Sequence, residues 1–329
     1  MEQRSFQRIS RDASVISLGT WQLGTDWGEV SESDGLAVLS AAVEAGVTFL
    51  DTADVYGDGR SEQIIGRFLR SHEGLFVATK MGRRAEQTPE NYSLANFRTW
   101  LDRSRTNLGV DTIDLVQLHC PPTSTITSDA TYDALDQLVA EGVVAAYGVS
   151  VETCDQALAA IARPNVASVQ IILNVFRRGP LDEVLPAAAA AGVGIIARVP
   201  LASGLLSGRY SESTTFAESD HRTYNRHGEA FDVGETFSGV DYATGVAAAQ
   251  EFSSLVREHG PSDATPAQVA LAWVAQQPGV TTVIPGARNV EQARANAAAA
   301  SLPALAPELL DGVRKIYDTH FREAIHSRW

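Results

Sequence analysis

An apolar run that stops at an acidic residue stands at residues 47–51, VTFLD, and the polar loop TADVYG follows it at residues 52–57. Similar runs recur along the whole chain. The eight runs are Val15–Leu18, Val47–Leu50, Leu75–Thr79, Ile113–Leu118, Val143–Val149, Ser168–Leu173, Val193–Val199 and Val280–Ile284. Most of them are apolar almost without interruption, which is typical of parallel strands that are buried on both faces.

Amphipathic helical patterns alternate with these runs, and glycines such as Gly109 and Gly192 stand where a helix should end before the next strand. Eight strands that alternate with helices predict an α/β fold, a (β/α)8 TIM barrel, and a doubly wound parallel sheet is the alternative. No Pro/Ser-rich linker divides the sequence, so we expect a single domain over residues 1–329.

The alternation is interrupted once, by a long polar stretch at Arg209–Val240. It predicts a long loop after the seventh strand, of the kind that is either functional or disordered. Two helical patterns follow this loop before the eighth strand, one more than a plain barrel needs. A last helix is expected near Pro307–Phe321, on the outside of the barrel.

The chain carries 26 basic and 40 acidic residues, a net charge of −14 with histidine neutral. This balance argues against nucleic acids and anionic membranes as partners, because both bind basic surfaces. Cys120 and Cys154 are too few for a disulfide framework, and neither a signal-peptide core nor a membrane-length apolar run is present. The expected location is therefore the cytoplasm.

Polar side chains that can transfer protons follow three neighbouring runs directly. Asp51 follows the second run, Lys80 the third and His119 the fourth, and Tyr56 lies on the loop after Asp51. Because barrel active sites lie at the C-terminal ends of the strands, these side chains are expected to meet. Of the 26 basic residues, only Lys80 and Lys315 are lysines, so a lysine at a buried strand end points to a need for a compact ammonium group that arginine cannot replace.

Together the four residues suit the reduction of a carbonyl group. A free tyrosine has a pKa near ~10, and a neighbouring lysine cation is expected to lower it and make Tyr56 a better proton donor. Asp51 would hold Lys80 charged, and a neutral His119 would orient the carbonyl oxygen. Each residue alone has a simpler interpretation as a helix cap, a rim aromatic or a buried core histidine.

The sequence resembles the aldo-keto reductase superfamily over nearly its whole length. The motifs that carry the resemblance are Leu18–Trp21, Phe49–Ala53 with Tyr56-Gly57, Ala78–Lys80, Gln117–His119, Tyr147–Ser150, Pro200–Gly208 and Ile284–Arg288. The resemblance implies a (β/α)8 barrel that binds NADP(H) without a Rossmann fold. It also implies Tyr56 as the general acid, Asp51 and Lys80 as the pair that tunes it, and His119 as the residue that orients the substrate.

The cofactor site is expected at the loops after strands seven and eight, where barrels bind phosphate. Ser203-Gly204 lets backbone N–H groups approach a pyrophosphate, and Gly286–Arg288 leads into a helix start that suits an anion. Arg288 could clamp a ribose 2′-phosphate, which favours NADPH over NADH. The resemblance also implies that Gln292 and Asn296 on that helix face the adenosine end. The complete set of predicted cofactor contacts is Gly19, Thr20, Trp21, Asp51, Ser150, Gln170, Arg198, Pro200, Leu201, Ser203, Gly204, Leu206, Gly286, Arg288, Gln292 and Asn296.

Two positions near strand ends leave alternatives open. Many relatives have asparagine where this chain has Val151, so the nicotinamide carboxamide must be held by Ser150, Gln170 or another group. Arg198 at the end of the seventh strand could reach a phosphate or an acidic substrate, or it could form a buried salt bridge.

Two other functions compete with the reductase. A cofactor-binding regulatory subunit, as in the potassium-channel β-subunit branch, would keep the same residues. A metal-dependent hydrolase has no convincing ligand set, because His119 has no second strand-end histidine, and no metal is expected.

The expected partner is a small carbonyl or alcohol substrate. The loops expected to select it include Trp21, Trp27, residues 81–84 and Arg209–Val240. The sequence leaves the oligomeric state open.

Overall fold

The computed structural model describes residues 1–24 and 30–329. Ten strands are present in this part of the chain: β1 (Gln3–Phe6), β2 (Arg11–Ser14), β3 (Leu18–Gly19), β4 (Phe49–Asp51), β5 (Phe76–Met81), β6 (Leu115–His119), β7 (Tyr147–Ser150), β8 (Val166–Ile172), β9 (Gly194–Arg198) and β10 (Thr282–Val283). The strands β3 to β10 form one parallel sheet in sequence order. Parallel bridges between Ile16 and Val283 and between Gly19 and Gly286 join its two edge strands, so the sheet closes on itself.

Helices follow the barrel strands as the alternating pattern predicts. Their bounds are α1 (Glu32–Glu44), α2 (Arg60–Leu69), α3 (Leu94–Leu108), α4 (Thr123–Ile126), α5 (Asp129–Ala140), α6 (Cys154–Ile161), α7 (Val184–Ala191), α8 (His221–Tyr224), α9 (Tyr242–His259), α10 (Pro266–Ala275), α11 (Val290–Ala298), α12 (Pro307–His320) and α13 (Arg322–Ile325). The (β/α)8 barrel is therefore confirmed over the doubly wound sheet. No helix in the described ranges has the length and apolar character that crossing a bilayer requires.

The residues that mark helix ends in the sequence adopt the capping conformations typical of their residue types. Gly109 and Gly192 both adopt the left-handed conformation that ends α3 and α7. At α10, Thr265 caps the first turn by accepting a hydrogen bond from the backbone of Gln268, and Pro266 occupies the first helical position. The two predicted helices before the eighth barrel strand are α9 and α10, and α9 packs against the last long helix, α12.

An antiparallel hairpin of β1 and β2 was not predicted from the sequence. It precedes the first barrel strand and places Phe6 against Phe49 and Phe76, with ring centroids 5.9 and 5.5 Å away. A side chain at Gly194 would collide with the Phe6 ring, so the hairpin packs tightly over the start of β9. Because Phe49 and Phe76 begin β4 and β5, this aromatic cluster closes the N-terminal end of the barrel.

Candidate active site

The strand register brings the predicted catalytic residues to one rim of the barrel. Asp51 ends β4, His119 ends β6, and Lys80 lies one residue before the end of β5, which is longer than the apolar run suggested. Lys80 pairs with Gln117, and His119 pairs with Ser150. Parallel strands end at the same edge, so three side chains that are far apart in sequence come together with Tyr56 from the loop after β4.

Lys80 and Asp51 form a buried ion pair, with exposed side-chain fractions of 1% and 2%. The Lys80 Nζ also donates to the Thr52 carbonyl at 2.9 Å and lies 3.5 Å from the Tyr56 hydroxyl. Burial alone would lower the pKa of the Lys80 ammonium, but the Asp51 charge and the Tyr56 hydroxyl outweigh it and hold that pKa above its usual value. Lys80 is therefore a cation beneath the tyrosine.

Two glutamines hold the other oxygen of Asp51. Gln117 Nε2 donates to Oδ2 at 3.0 Å, and Gln170 Nε2 donates to the same atom at 2.8 Å. Gln170 Nε2 also donates to Gln117 Oε1 at 3.2 Å, so both hydrogens of its amide are used. The oxygen of the Gln170 amide is thus the atom that can accept from the amide group of a nicotinamide.

Two aromatic rings and Lys80 flank Tyr56, which lines a cavity. Trp21 stacks against the Tyr56 ring at 5.9 Å, and the His119 ring meets it edge-on at 6.0 Å. Burial raises the pKa of Tyr56, the Lys80 charge lowers it, and the net direction is upward. The expected lowering by Lys80 is therefore present but smaller than the effect of removing the hydroxyl from water, and Tyr56 stays protonated at neutral pH.

His119 is a neutral imidazole. Burial and the nearby charges of Arg83, Lys80 and Arg198 keep its pKa well below the usual range. Its Nδ1 has no hydrogen-bond partner within the described part of the chain. A neutral ring beside a tyrosine hydroxyl can orient a carbonyl oxygen without competing for the proton.

A cavity of about 740 Å³ extends from these residues to the start of α11. The predicted cofactor residues that line it are Gly19, Thr20, Trp21, Asp51, Ser150, Gln170, Arg198, Pro200, Leu201, Ser203, Gly204, Gly286, Arg288, Gln292 and Asn296. Leu206 differs, because its side chain is fully buried and packs in the hydrophobic core. The cavity is long and lined by residues of many barrel loops, which suits an extended dinucleotide.

The two predicted phosphate loops lie along this cavity. Ser203 and Gly204 both have positive φ, at 56° and 95°, and a side chain at Gly204 would collide with the Tyr210 hydroxyl. At the other loop Asn289 caps α11, Gln292 accepts from the Arg288 backbone at 2.8 Å, and Asn296 donates to Gly286 O at 3.1 Å. The Arg288 side chain is exposed at this helix start, where the helix dipole favours an anion.

Arg198 forms the buried salt bridge that was one of its two interpretations. Its guanidinium lies 3.0 Å from Glu152 and 3.2 Å from Glu235, and it also donates to the Val151 carbonyl at 3.1 Å. It lines the cavity as well, so the proposed contact with a cofactor remains a prediction.

Sequence reasoning named the Arg209–Val240 stretch but not the residues that it brings to the cavity. Those that line the cavity are Arg209, Tyr210, Thr214, Thr215, Phe216, His221, Arg222 and Glu235. The aromatic and charged side chains of the stretch were a signal that it could line a binding site. Its fold could not be predicted, because this polar stretch has no helical or strand periodicity. Of the other loops expected at the cavity mouth, Met81 is buried in the core, Arg83 pairs with Glu152 and Glu235, and Trp27 lies outside the described residues.

Cys120, Glu152 and Glu235 place possible metal-ligand atoms within 4.8 Å of one another. Both carboxylates are paired with Arg198, and burial raises the pKa of the Cys120 thiol to about 12. A metal ion would have to displace an arginine and deprotonate this thiol, so the cluster suits an ion-pair network better than a metal site.

Comparison with known proteins gives a consistent result. A statistical description of the Aldo/keto reductase family matches residues 15–318. The chain is 29% identical to the uncharacterized oxidoreductase YqkF of Bacillus subtilis (strain 168), with 99% of each chain covered. It is 28% identical to a probable voltage-gated potassium channel subunit beta of Oryza sativa subsp. japonica, with 96% of each covered. The structure of the glycerol dehydrogenase AKR11B4 from Gluconobacter oxydans superimposes with a TM-score of 0.77 at 29% identity, over 97% of this chain and 95% of that one.

Proposed function

Because this chain belongs to the aldo/keto reductase family of oxidoreductases, we propose that it transfers a hydride between NADP(H) and the carbonyl or alcohol carbon of an aldehyde or ketone. The observation that carries the proposal is the Tyr56 hydroxyl, 3.5 Å from a buried lysine cation and beside a neutral histidine, at one end of a long cavity. We also propose that residues 1–329 act as one domain, since loops from most of the barrel strands line this cavity.

NADP(H) fits the residues present. The positive-φ turn at Ser203-Gly204 and the start of α11 suit a pyrophosphate, and Arg288 suits a 2′-phosphate. Ser150 and the free oxygen of the Gln170 amide suit the carboxamide at the other end. When bound, NADPH supplies the hydride that the protein itself does not hold.

In the direction of reduction, Tyr56 donates its proton to the carbonyl oxygen. His119 donates an N–H to the same oxygen and fixes its orientation, while Lys80 stabilises the phenolate that remains. Asp51, held by Lys80, Gln117 and Gln170, keeps the ammonium in place. In the direction of alcohol oxidation, the Tyr56 phenolate accepts the proton.

Tyr56→Phe tests whether the Tyr56 hydroxyl is the proton donor. Turnover of NADPH with carbonyl substrates should fall by roughly 10²–10⁴-fold, since the proton donor is removed. The Kd of NADPH, measured by fluorescence titration, should change little because the ring is kept. Tyr132→Phe is the matched control, because Tyr132 is buried elsewhere and its hydroxyl has no hydrogen-bond partner in the described residues. Full activity in Tyr56→Phe would contradict the mechanism.

A regulatory subunit with little turnover is the second candidate, favoured by the similarity to the rice channel subunit. Steady-state oxidation of NADPH with a panel of aldehydes and ketones separates the two. Multiple turnovers support the enzyme, and tight NADPH binding with no turnover supports the subunit.

We further propose a cytoplasmic location. Cys120 and Cys154 are both free thiols, and a reducing compartment such as the cytoplasm keeps thiols in this form.

A further inference from the structure

The loop at the end of β5, residues 82–87, contacts the chain that follows both neighbouring strands. In the sheet β5 stands between β4 and β6. This β5 loop therefore has the loop that carries Tyr56 on one side and His119, at the end of β6, on the other. Since β5 itself carries Lys80, the β5 loop adjoins all three strands from which the predicted catalytic side chains come.

Arg84 of the β5 loop holds the turn that directly follows Tyr56. Both terminal nitrogens of its guanidinium donate to Asp58 Oδ1, one of them at 2.8 Å. Arg84 Nε lies 3.7 Å from the Asp54 carboxylate, so this side chain is close to the Tyr56 loop both before and after the tyrosine. Arg103 of α3 also donates to Asp58 Oδ1, at 2.8 Å.

The turn after Tyr56 depends on such contacts because its backbone is strained. Gly57, Asp58 and Gly59 have φ of 57°, 53° and 93°, three consecutive residues in the left-handed region. Glycine adopts this region freely, but a residue with a side chain does so at a cost in free energy. A strained conformation persists only where the surrounding structure imposes it. The contacts to the Asp58 carboxylate therefore help to fix the place of the tyrosine two residues earlier.

Gln87 makes the corresponding contacts on the other side of the β5 loop. Its Nε2 lies within hydrogen-bond distance of the carbonyl oxygens of His119 and Cys120, at 3.1 and 3.0 Å, and of the Tyr92 hydroxyl, at 2.9 Å. Cys120 directly follows His119 and also has a positive φ, of 50°. Arg83 Nε donates to the His119 carbonyl at 3.3 Å. Strained backbone next to His119 is thus held by the β5 loop as well.

We propose that the β5 loop positions both proton-handling groups of the site, with Arg84 acting on Tyr56 and Gln87 acting on His119. This inference rests on the proposed reductase function and adds two positioning residues to it. The Tyr56 hydroxyl lies 3.5 Å from Lys80 Nζ, and this separation depends on where the loop after β4 is held. A misplacement of about 1 Å can cost about 10²-fold in rate, so a loosened turn should be visible in kcat.

Arg84→Met tests the first assignment, because methionine removes the hydrogen bonds and keeps much of the side-chain length. With NADPH and a carbonyl substrate, kcat should fall by about tenfold, whereas KM and the Kd of NADPH should change by less than about twofold. The Asp58 carboxylate is 80% exposed, so loss of this pair should leave the fold intact. Arg84→Lys keeps the charge without the forked contact and should recover part of the rate. Arg98→Met, which removes the exposed pair of α3 with Glu141, is the matched control and should leave kcat unchanged.

A second comparison repeats Arg84→Met in the Tyr56→Phe background under single-turnover conditions. If Arg84 acts through the Tyr56 hydroxyl, the added substitution should leave the residual rate unchanged, because the group that it positions is gone. A purely structural contribution would lower the rate by the same factor in both backgrounds. In the same way, Gln87→Met should lower kcat/KM by about fivefold in the wild-type protein and should have no effect in the His119→Leu background.

Amide hydrogen exchange checks the two contacts independently of activity. Residues 56–60 should exchange faster in Arg84→Met and residues 119–120 faster in Gln87→Met, each without an effect on the other segment. A wild-type kcat in Arg84→Met, or a wild-type kcat/KM in Gln87→Met, overturns the assignment of that residue and leaves the proposed function intact. Equal losses in both backgrounds do the same. Failure of the wild-type protein to reduce any carbonyl compound overturns the proposed function and this inference together.

Discussion

At the level of single residues, burial and neighbouring charges shift the pKa values of the site. Burial raises the pKa of Tyr56, and burial with the charges of nearby cations lowers that of His119, while Lys80 remains charged through its pairing with Asp51. A second buried acid, Asp54, lies on the same loop, with Arg84 Nε 3.7 Å from its carboxylate. Burial, followed by the negative charge of Glu62, raises the pKa of Asp54 to about 8.

This raised pKa predicts that ionisation of Asp54 lowers the free energy of unfolding by an amount that depends on pH. In the folded protein the group keeps its proton up to about pH 8, whereas in the unfolded chain it loses it near the ordinary value of 3.8. The free energy of unfolding should therefore fall as pH rises from about 4 to about 8, by at most about 6 kcal/mol from this group. Asp54→Asn cannot ionise, so its stability relative to wild type should grow over that interval and then level off. Urea denaturation at pH 5, 6, 7, 8 and 9 measures this, and a pH-independent difference would contradict it.

At the level of elements, the Arg209–Val240 stretch is an ordered cover for the cavity rather than an unstructured loop. The backbone N–H of Phe237 donates to Ser203 Oγ at 3.1 Å, which ties the stretch to the first phosphate loop. From the other side, Trp329 Nε1 donates to Asp232 Oδ1 at 3.0 Å, and the Arg177 guanidinium lies over the Trp329 ring at 4.4 Å. The indole packs against Gly239, where any side chain would collide with it.

These contacts predict that Trp329 holds residues 232–239 in place. Trp329→Ala should speed amide hydrogen exchange in this segment by roughly tenfold or more, because its packing partner and the Asp232 hydrogen bond are both lost. The KM for substrate should also rise, because Glu235 lies in the same segment and lines the cavity. Trp329→Phe keeps most of the packing and should show a smaller effect. Equal acceleration of exchange in the barrel strands would instead indicate a general loss of stability.

At the level of the whole molecule, the barrel depends on closing its sheet between β10 and β3. The two bridges at this seam involve Ile16 with Val283 and Gly19 with Gly286. The Gly19 N–H also donates to Pro285 O at 3.0 Å. A Cβ at Gly19 would stand 2.9 Å from the Ile284 carbonyl oxygen, so the strands approach too closely for a side chain there.

Gly19→Ala should therefore destabilise the protein by roughly 1–3 kcal/mol, because the seam must widen to relieve the contact. Gly35→Ala in α1 is the matched control. A Cβ at Gly35 would meet only ordinary contacts at 3.4 Å, and alanine favours a helix, so stability should stay the same or rise by up to about 1 kcal/mol. Guanidinium denaturation of both variants measures the difference, and equal stabilities would show that the seam tolerates a side chain.

The parts of the site that could be predicted are those that follow a strand directly. Asp51, Lys80 and His119 each stand at the end of an apolar run, and once the runs are parallel strands, their ends must meet. The hairpin β1–β2 was missed because its strands are short and mostly polar, with little apolar pattern. The partners of Arg198 were missed because Arg198 ends β9 while Glu152 and Glu235 come from two separate loops, and no local pattern relates them.

The sequence by itself determined the barrel, the order of its strands and the meeting of the predicted catalytic residues at one rim, because buried parallel strands and their helices have local apolar periodicities. Only the tertiary structure decided the upward direction of the Tyr56 pKa and the partners of Arg198. It also decided the course of the Arg209–Val240 stretch over the cavity. These properties depend on how deeply each group is removed from water and on charges distant in sequence, and both exist only once the barrel has closed.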